Sequence, residues 1–197
     1  MSQTKGCVRQ LKTKVCVYMK PDAKMEEIKA ACEQVATADW EAMCVPEWFV
    51  SSVSEMLRGS AVKTATIIGL PGGTTSSSAK YAEMKQAVAN GAALVILPAN
   101  MDLCRAGDWN GAKQDLSGTM VAARKGAEVL ALLDGTVLPA EQIVTAAQMC
   151  MQTGVRSVLV SGATQEMLDQ LKEAGIPAGG YGKTVPEGTA TCAVLAS

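Results

Sequence analysis

The chain has 197 residues, enough for one domain with a substantial core, and carries a formal net charge of −1 with 48% hydrophobic and 19% charged residues. That balance provides no broad basic footprint of the kind nucleic-acid binders show. The longest mostly apolar runs, such as residues 92–99, fall well short of a membrane span. Met1 to Gly6 show no apolar stretch of the signal-peptide type, so a cytoplasmic protein without nucleic-acid or membrane partners is expected.

Strand-like and helix-periodic stretches alternate along the whole chain. Residues 14–19 (KVCVYM) read as a strand, and Pro21-Asp22 open a helix with apolar positions at Met25, Ile28, Ala31, Cys32 and Val35. Residues 42–46 form a second strand, followed by a helix through Val53 and Leu57 that stops at Gly59. A third strand over 63–69 leads through Leu70-Pro71-Gly72-Gly73-Thr74-Thr75 into a helix over 77–90, with Ser76 or Ser77 as N-cap and Gly91 as C-terminal stop. Strands follow at 93–98, 128–133 and 157–161, with helices over 108–125, 139–153 and 165–174. Two further short strands fit at 175–180 and 191–196, making eight.

Near-continuous apolar strands alternating with helices specify a parallel sheet covered by helices, and eight units favour closure into a parallel (β/α)8 TIM barrel. No glycine-rich dinucleotide fingerprint follows the first strand, and no nucleotide cofactor is expected. The barrel is shortened. Only residues 181–190 separate the last two strands, and they contain Gly182, Pro186 and Gly188, so no helix fits there. With nothing after Ser197 in this sequence, the helices of the last two units are expected to be missing or reduced. The flank so exposed calls for cover by the N-terminal extension, residues 1–13, by a partner subunit, or by both, and a homo-oligomer is expected. The whole of 1–197 reads as this single domain.

The chain contains no histidine, which removes Ser-His-Asp and Cys-His nucleophile pairs, histidine-based zinc sites and the usual acid–base residue. Seven cysteines, at 7, 16, 32, 44, 104, 150 and 192, are scattered without a C-x-x-C pair and read as reduced, half-buried thiols. No metal site is expected. The remaining chemistry must come from Lys, Cys, carboxylates, Tyr or backbone amides, a set with which Schiff-base aldolases can work.

Several strings carry a resemblance: M-K-P-D-A at 19–23, M-C-V at 43–45, T-I-I-G-L-P-G-G-T-T at 66–75, Lys80 with E-M-K-Q-A-V at 83–88, A-G-D-W at 106–109, P-A-E-Q-I-V at 139–144 and A-G-G-Y-G-K-T at 178–184. In this order and spacing they resemble the deoxyribose-phosphate aldolase family from residue 14 to 184, the third-strand string and A-G-D-W being the more specific. The resemblance implies a carbon–carbon lyase in which a lysine on the sixth strand forms a Schiff base with an aldehyde. A second lysine, on the seventh strand, lowers the pKa of the first, and aspartates on the fourth and first strands complete the family's constellation. The aligned positions here hold Leu159, Pro177, Ile96 and Val15. All four changes run from ionisable to apolar or imino. A buried charged set lowers stability unless every member is paired, so this replacement suits a barrel that has given up the chemistry.

Relocated chemistry would fall to Lys183, after Gly179-Gly180, to Lys20, at the end of the first strand, or to Cys44, at the end of the second, giving a lyase or isomerase acting on a phosphorylated sugar or small aldehyde. Neither lysine lies in a segment that would desolvate it into neutrality, and Cys44 has no base at hand. Asp134 and Asn100 read as loop caps. By the same resemblance a phosphate would be held by Gly179, Gly180, Lys183, Thr184 and Ser197, so a phosphorylated sugar or other small anion is the ligand implied. A missing helix N-terminus weakens that site. The expectation is therefore an aldolase-like barrel without Schiff-base activity that acts by binding a ligand or by assembly.

Overall fold

A computed structural model describes residues 13–123, 126–186 and 191–195, the last five and Thr13 through their backbone. The elements are β1 (Thr13–Val17), α1 (Met25–Thr37), β2 (Ala42–Cys44), a 3-10 turn at Glu47–Phe49, α2 (Val50–Met56), β3 (Lys63–Ile67), α3 (Ser77–Ala89), β4 (Leu94–Pro98), α4 (Met101–Arg105), α5 (Trp109–Ala123), β5 (Glu128–Asp134), α6 (Ala140–Met151), β6 (Ser157–Ser161), α7 (Gln165–Glu173), β7 (Ala178–Gly182) and β8 (Thr191–Leu195). The strands pair in chain order and β8 returns to β1, with Val15 opposite Ala193, so the parallel sheet closes into a barrel.

Side-chain alternation sorts the strand residues into two cores. Val15, Val17, Ala42, Cys44, Ala65, Ile67, Leu94, Ile96, Leu130 and Leu159 fill the barrel lumen. Their neighbours, such as Met43, Val95, Val129, Val158 and Val160, face outward and pack beneath Ile28, Val53, Met84, Leu116, Ile143 and Leu171 of the helices. Because both strand faces are buried, the strands read as apolar runs rather than alternations.

Three differences from the sequence expectations have local causes. The helix expected over 108–125 is preceded by a separate one, α4, whose N-cap Asn100 accepts from Leu103 N–H at 3.2 Å through its side chain. Gly107, at φ +73°, turns the chain between α4 and α5. The seventh strand starts at Ala178 rather than 175, because Gly175 at φ +70° terminates α7 and Ile176 packs into the outer core. Finally, no helix occupies the described part of the β7–β8 connection, residues 183–186, but the flank there is not bare. Val185 and Pro186 lie over the outward face of β7, where a Cβ on Gly180 would meet Val185 Cγ1 at 2.9 Å and Pro186 Cδ at 3.5 Å. The cover expected from the N-terminal extension concerns residues outside those described, apart from Thr13 at the start of β1.

Candidate functional site

In barrels of this kind ligands bind where the strands end, among the loops that follow them. Just below that end the lumen is apolar. Leu159, Ile96 and Val15, three of the four positions singled out by sequence, are fully buried and belong to one cluster with Cys44, Ile67 and Leu130. Pro177 stands one residue before β7 and its carbonyl accepts from Val158 N–H at 2.9 Å. Half-buried Met19, Leu132 and Tyr181 roof the cluster.

The relocated candidates are not drawn together around a reacting centre. Lys20 lies in the β1–α1 loop, exposed, and donates to Glu27 Oε1 at 3.3 Å. That bond and the Glu27 charge raise its pKa, the opposite of what an amine nucleophile needs. Cys44 is completely buried, and desolvation pushes its thiol far above the ordinary range, so no thiolate is available. Lys183 follows β7 and is exposed. Of the phosphate candidates, Gly179 faces the lumen opposite Leu159, whereas Gly180 is turned outward and covered by Val185. The two glycines therefore serve opposite sides of the strand. Thr184 is exposed, and Ser197 lies outside the described residues. Among the described residues no group of three or more His, Cys, Asp or Glu is placed to hold a metal.

Sequence reasoning missed two charged constellations. At the opposite, N-terminal end of the barrel, Lys63 bridges Glu41 at 3.1 Å and Glu128 at 3.0 Å, and Arg156 contacts both carboxylates as well. Burial pushes the Glu41 and Glu128 carboxyls up, but the Lys63 and Arg156 bonds and charges outweigh it and hold both below the usual range. Four charges from the starts of β2, β3, β5 and β6 thus cross-link the bottom of the barrel, away from the ligand end.

The second constellation is Lys80 on α3 and Asp115 on α5, an ion pair with side chains 0% and 8% exposed. Lys80 Nζ also donates to Gly73 O at 2.8 Å, and Ser77 Oγ donates to Asp115 Oδ1 at 2.6 Å. This pair draws the β3–α3 loop down onto the end of β4. Gly73, at φ +71°, approaches so closely that a Cβ would fall 2.4 Å from Ala99 O and 2.5 Å from Pro98 O. The T-I-I-G-L-P-G-G-T-T string is therefore accounted for by close packing as well as by resemblance. Of the smaller polar candidates, Asn100 caps α4, and Asp134 Oδ1 accepts from Thr136 N–H at 2.9 Å and Thr136 Oγ1 at 2.7 Å.

A closed parallel barrel with helices between its strands and a loop-built mouth defines the TIM-barrel class. Residues 13–154 match the DeoC/LacD family aldolase pattern, and the chain belongs to that family. It is 29% identical to the deoxyribose-phosphate aldolase of Clostridium novyi over 190 residues, covering 91% of this chain and 86% of that protein. It is 33% identical to the deoxyribose-phosphate aldolase of Brevibacillus brevis over 156 residues, covering 75% of this chain and 69% of that one. In three dimensions it is similar to the tetrameric deoxyribose phosphate aldolase of Aeropyrum pernix, with a TM-score of 0.76 at 14% identity, over 94% of this chain and 86% of the other. No helix among the described residues is long and apolar enough to cross a membrane.

Proposed function

We propose that this family member does not work as a Schiff-base aldolase and acts by binding a small ligand or by assembling with further copies of itself, as a cytoplasmic protein. The observation that supports this most is the burial of Leu159 at 0% exposure among Val15, Ile96, Cys44 and Leu130. Position 159 supplies no amine, and the aliphatic side chains packed around it offer no group to take up or give back the protons that Schiff-base chemistry moves. Neither Lys20, paired with Glu27, nor Cys44, sealed in the lumen, has surroundings that activate it.

The test is retro-aldol turnover of 2-deoxyribose 5-phosphate, together with borohydride trapping of an aldehyde on the protein. No turnover and no trapped lysine are expected. Turnover lost on Lys183→Ala would instead establish the alternative, a relocated lysine at the exposed mouth. Self-assembly through the β7–β8–β1 flank is tested by light scattering, where a strict monomer at high concentration would remove that part of the proposal.

A further inference from the structure

Above the apolar layer, at the strand ends of one arc of the barrel, the lining turns polar. Asp134 of β5 is in register with Ser161 of β6, and Ser161 with Tyr181 of β7. All three occupy the inward register, two residues beyond Leu132, Leu159 and Gly179, and adjacent strands stand about 4.8 Å apart. Each of the three is half-buried. The Tyr181 ring packs against the lumen cluster, with Met19 and Leu132 beside it as partly buried floor. Among the described residues no protein group hydrogen-bonds Ser161 Oγ or Tyr181 Oη. Asp134 spends only Oδ1 on Thr136 and is held in place by it.

We infer that Asp134, Ser161 and Tyr181 form a binding site for a small uncharged polyhydroxylated compound, a neutral sugar or polyol rather than its phosphate ester. This rests on the non-catalytic reading above and names the ligand class for the same mouth. The two hydroxyls can each donate and accept, while the free Asp134 oxygen can only accept, a set that a ligand hydroxyl, both donor and acceptor, matches at every position. A phosphate dianion has no proton to give and meets a carboxylate of like charge. Several features that would draw an anion are already engaged, and Lys183 stands beyond the end of β7, exposed to solvent rather than on the inward register of the arc. The N-terminus of α7, next to β6, is capped by Thr164 Oγ1 accepting from Met167 N–H at 3.2 Å. Lys20 is paired with Glu27. Gly180, one of the glycines expected to hold phosphate, is sealed under Val185. An apolar floor with a few convergent polar groups on its wall is the usual form of a small-molecule site.

The experiment is a titration of the isotopically labelled wild-type protein with 2-deoxyribose and, separately, with 2-deoxyribose 5-phosphate, following backbone amide signals. Turnover is assayed in the same samples. Saturable shifts at Ser161, Tyr181 and Asp134 with the neutral sugar are expected, with weaker binding of the phosphate ester. Tyr181→Phe and Ser161→Ala, each removing a single hydroxyl, should weaken the neutral sugar by about fivefold. Absence of saturable binding at tens of millimolar, tighter binding of the phosphate ester, or unchanged affinity in both variants would overturn the inference. The wild-type shifts report on the site even if a variant folds poorly. Turnover of the phosphate ester would sink the non-catalytic reading itself, whereas failure to bind the neutral sugar without turnover sinks only this site.

Discussion

A lysine placed at Leu159 would sit at zero exposure in a cluster of aliphatic side chains and a cysteine. Its charged form would be penalised there by several pKa units, each worth about 1.4 kcal/mol. Leu159→Lys should therefore lose about 4 kcal/mol or more at neutral pH in denaturant melts. Its folded pKa would lie below the unfolded value, so the penalty should shrink as pH rises toward the ordinary lysine range. A Leu159→Lys protein as stable as wild type at pH 7 would show that the lumen is less dry than its packing implies. Gly73 is constrained differently, by a positive φ and by two carbonyls under 3 Å from any Cβ. Gly73→Ala should destabilise by at least about 2 kcal/mol, read from the same melts. Val15, Ile96 and Leu159 were singled out in the sequence by resemblance; that they face the lumen emerged only from the closed sheet, because strands buried on both faces carry no alternation to read. The outward turn of Gly180 was not legible, since glycines carry no side chain to mark a face and only the register with β6, Gly180 beside outward Val160, assigns it.

Between elements, the Lys80–Asp115 pair ties α3 to α5 and, through Gly73 O, both helices to the β3–α3 loop. Lys80→Met leaves a nearly buried carboxylate without its cation and should lower stability by about 3–5 kcal/mol. Lys80→Met combined with Asp115→Leu should recover much of that loss, because the two charges are removed together. Equal destabilisation in the single and double variants would mean that the pair matters by packing alone. Nothing in the sequence announced this contact: the partners are 35 positions apart, and a lysine near the start of a helix reads as a solvent-facing residue. The A-G-D-W string was noticed for its resemblance. Its structural meaning, a turn at Gly107 separating α4 from α5, became visible only with the helices in place.

For the molecule as a whole, the ring of Glu41, Lys63, Glu128 and Arg156 cross-links the end of the barrel away from the mouth, the end that in such barrels ordinarily serves folding rather than chemistry. Glu41 and Glu128 are both held below their ordinary range, so the ring with Lys63 and Arg156 contributes fully at neutral pH. That contribution is lost as pH falls through the folded values, which lie below the ordinary glutamate range. Glu41→Gln should lower stability by about 1–3 kcal/mol at pH 7 and by less near pH 3, giving a flatter acid limb in melts across that range. The eight-strand count was readable from the rhythm of the sequence, but the ring was not, because its members come from strand starts spread over positions 41 to 156. Closure has a further consequence. The seam between β1 and β8 joins Thr13 to Thr191, 178 positions apart (191 − 13), so it is among the last contacts a growing chain can make. Until β8 is made, β1 and β7 each present a row of unpaired backbone groups, and such open edges recruit other chains. A protein cut before Thr191 should therefore self-associate through those edges, and the seam serves as much to prevent aggregation as to complete the fold.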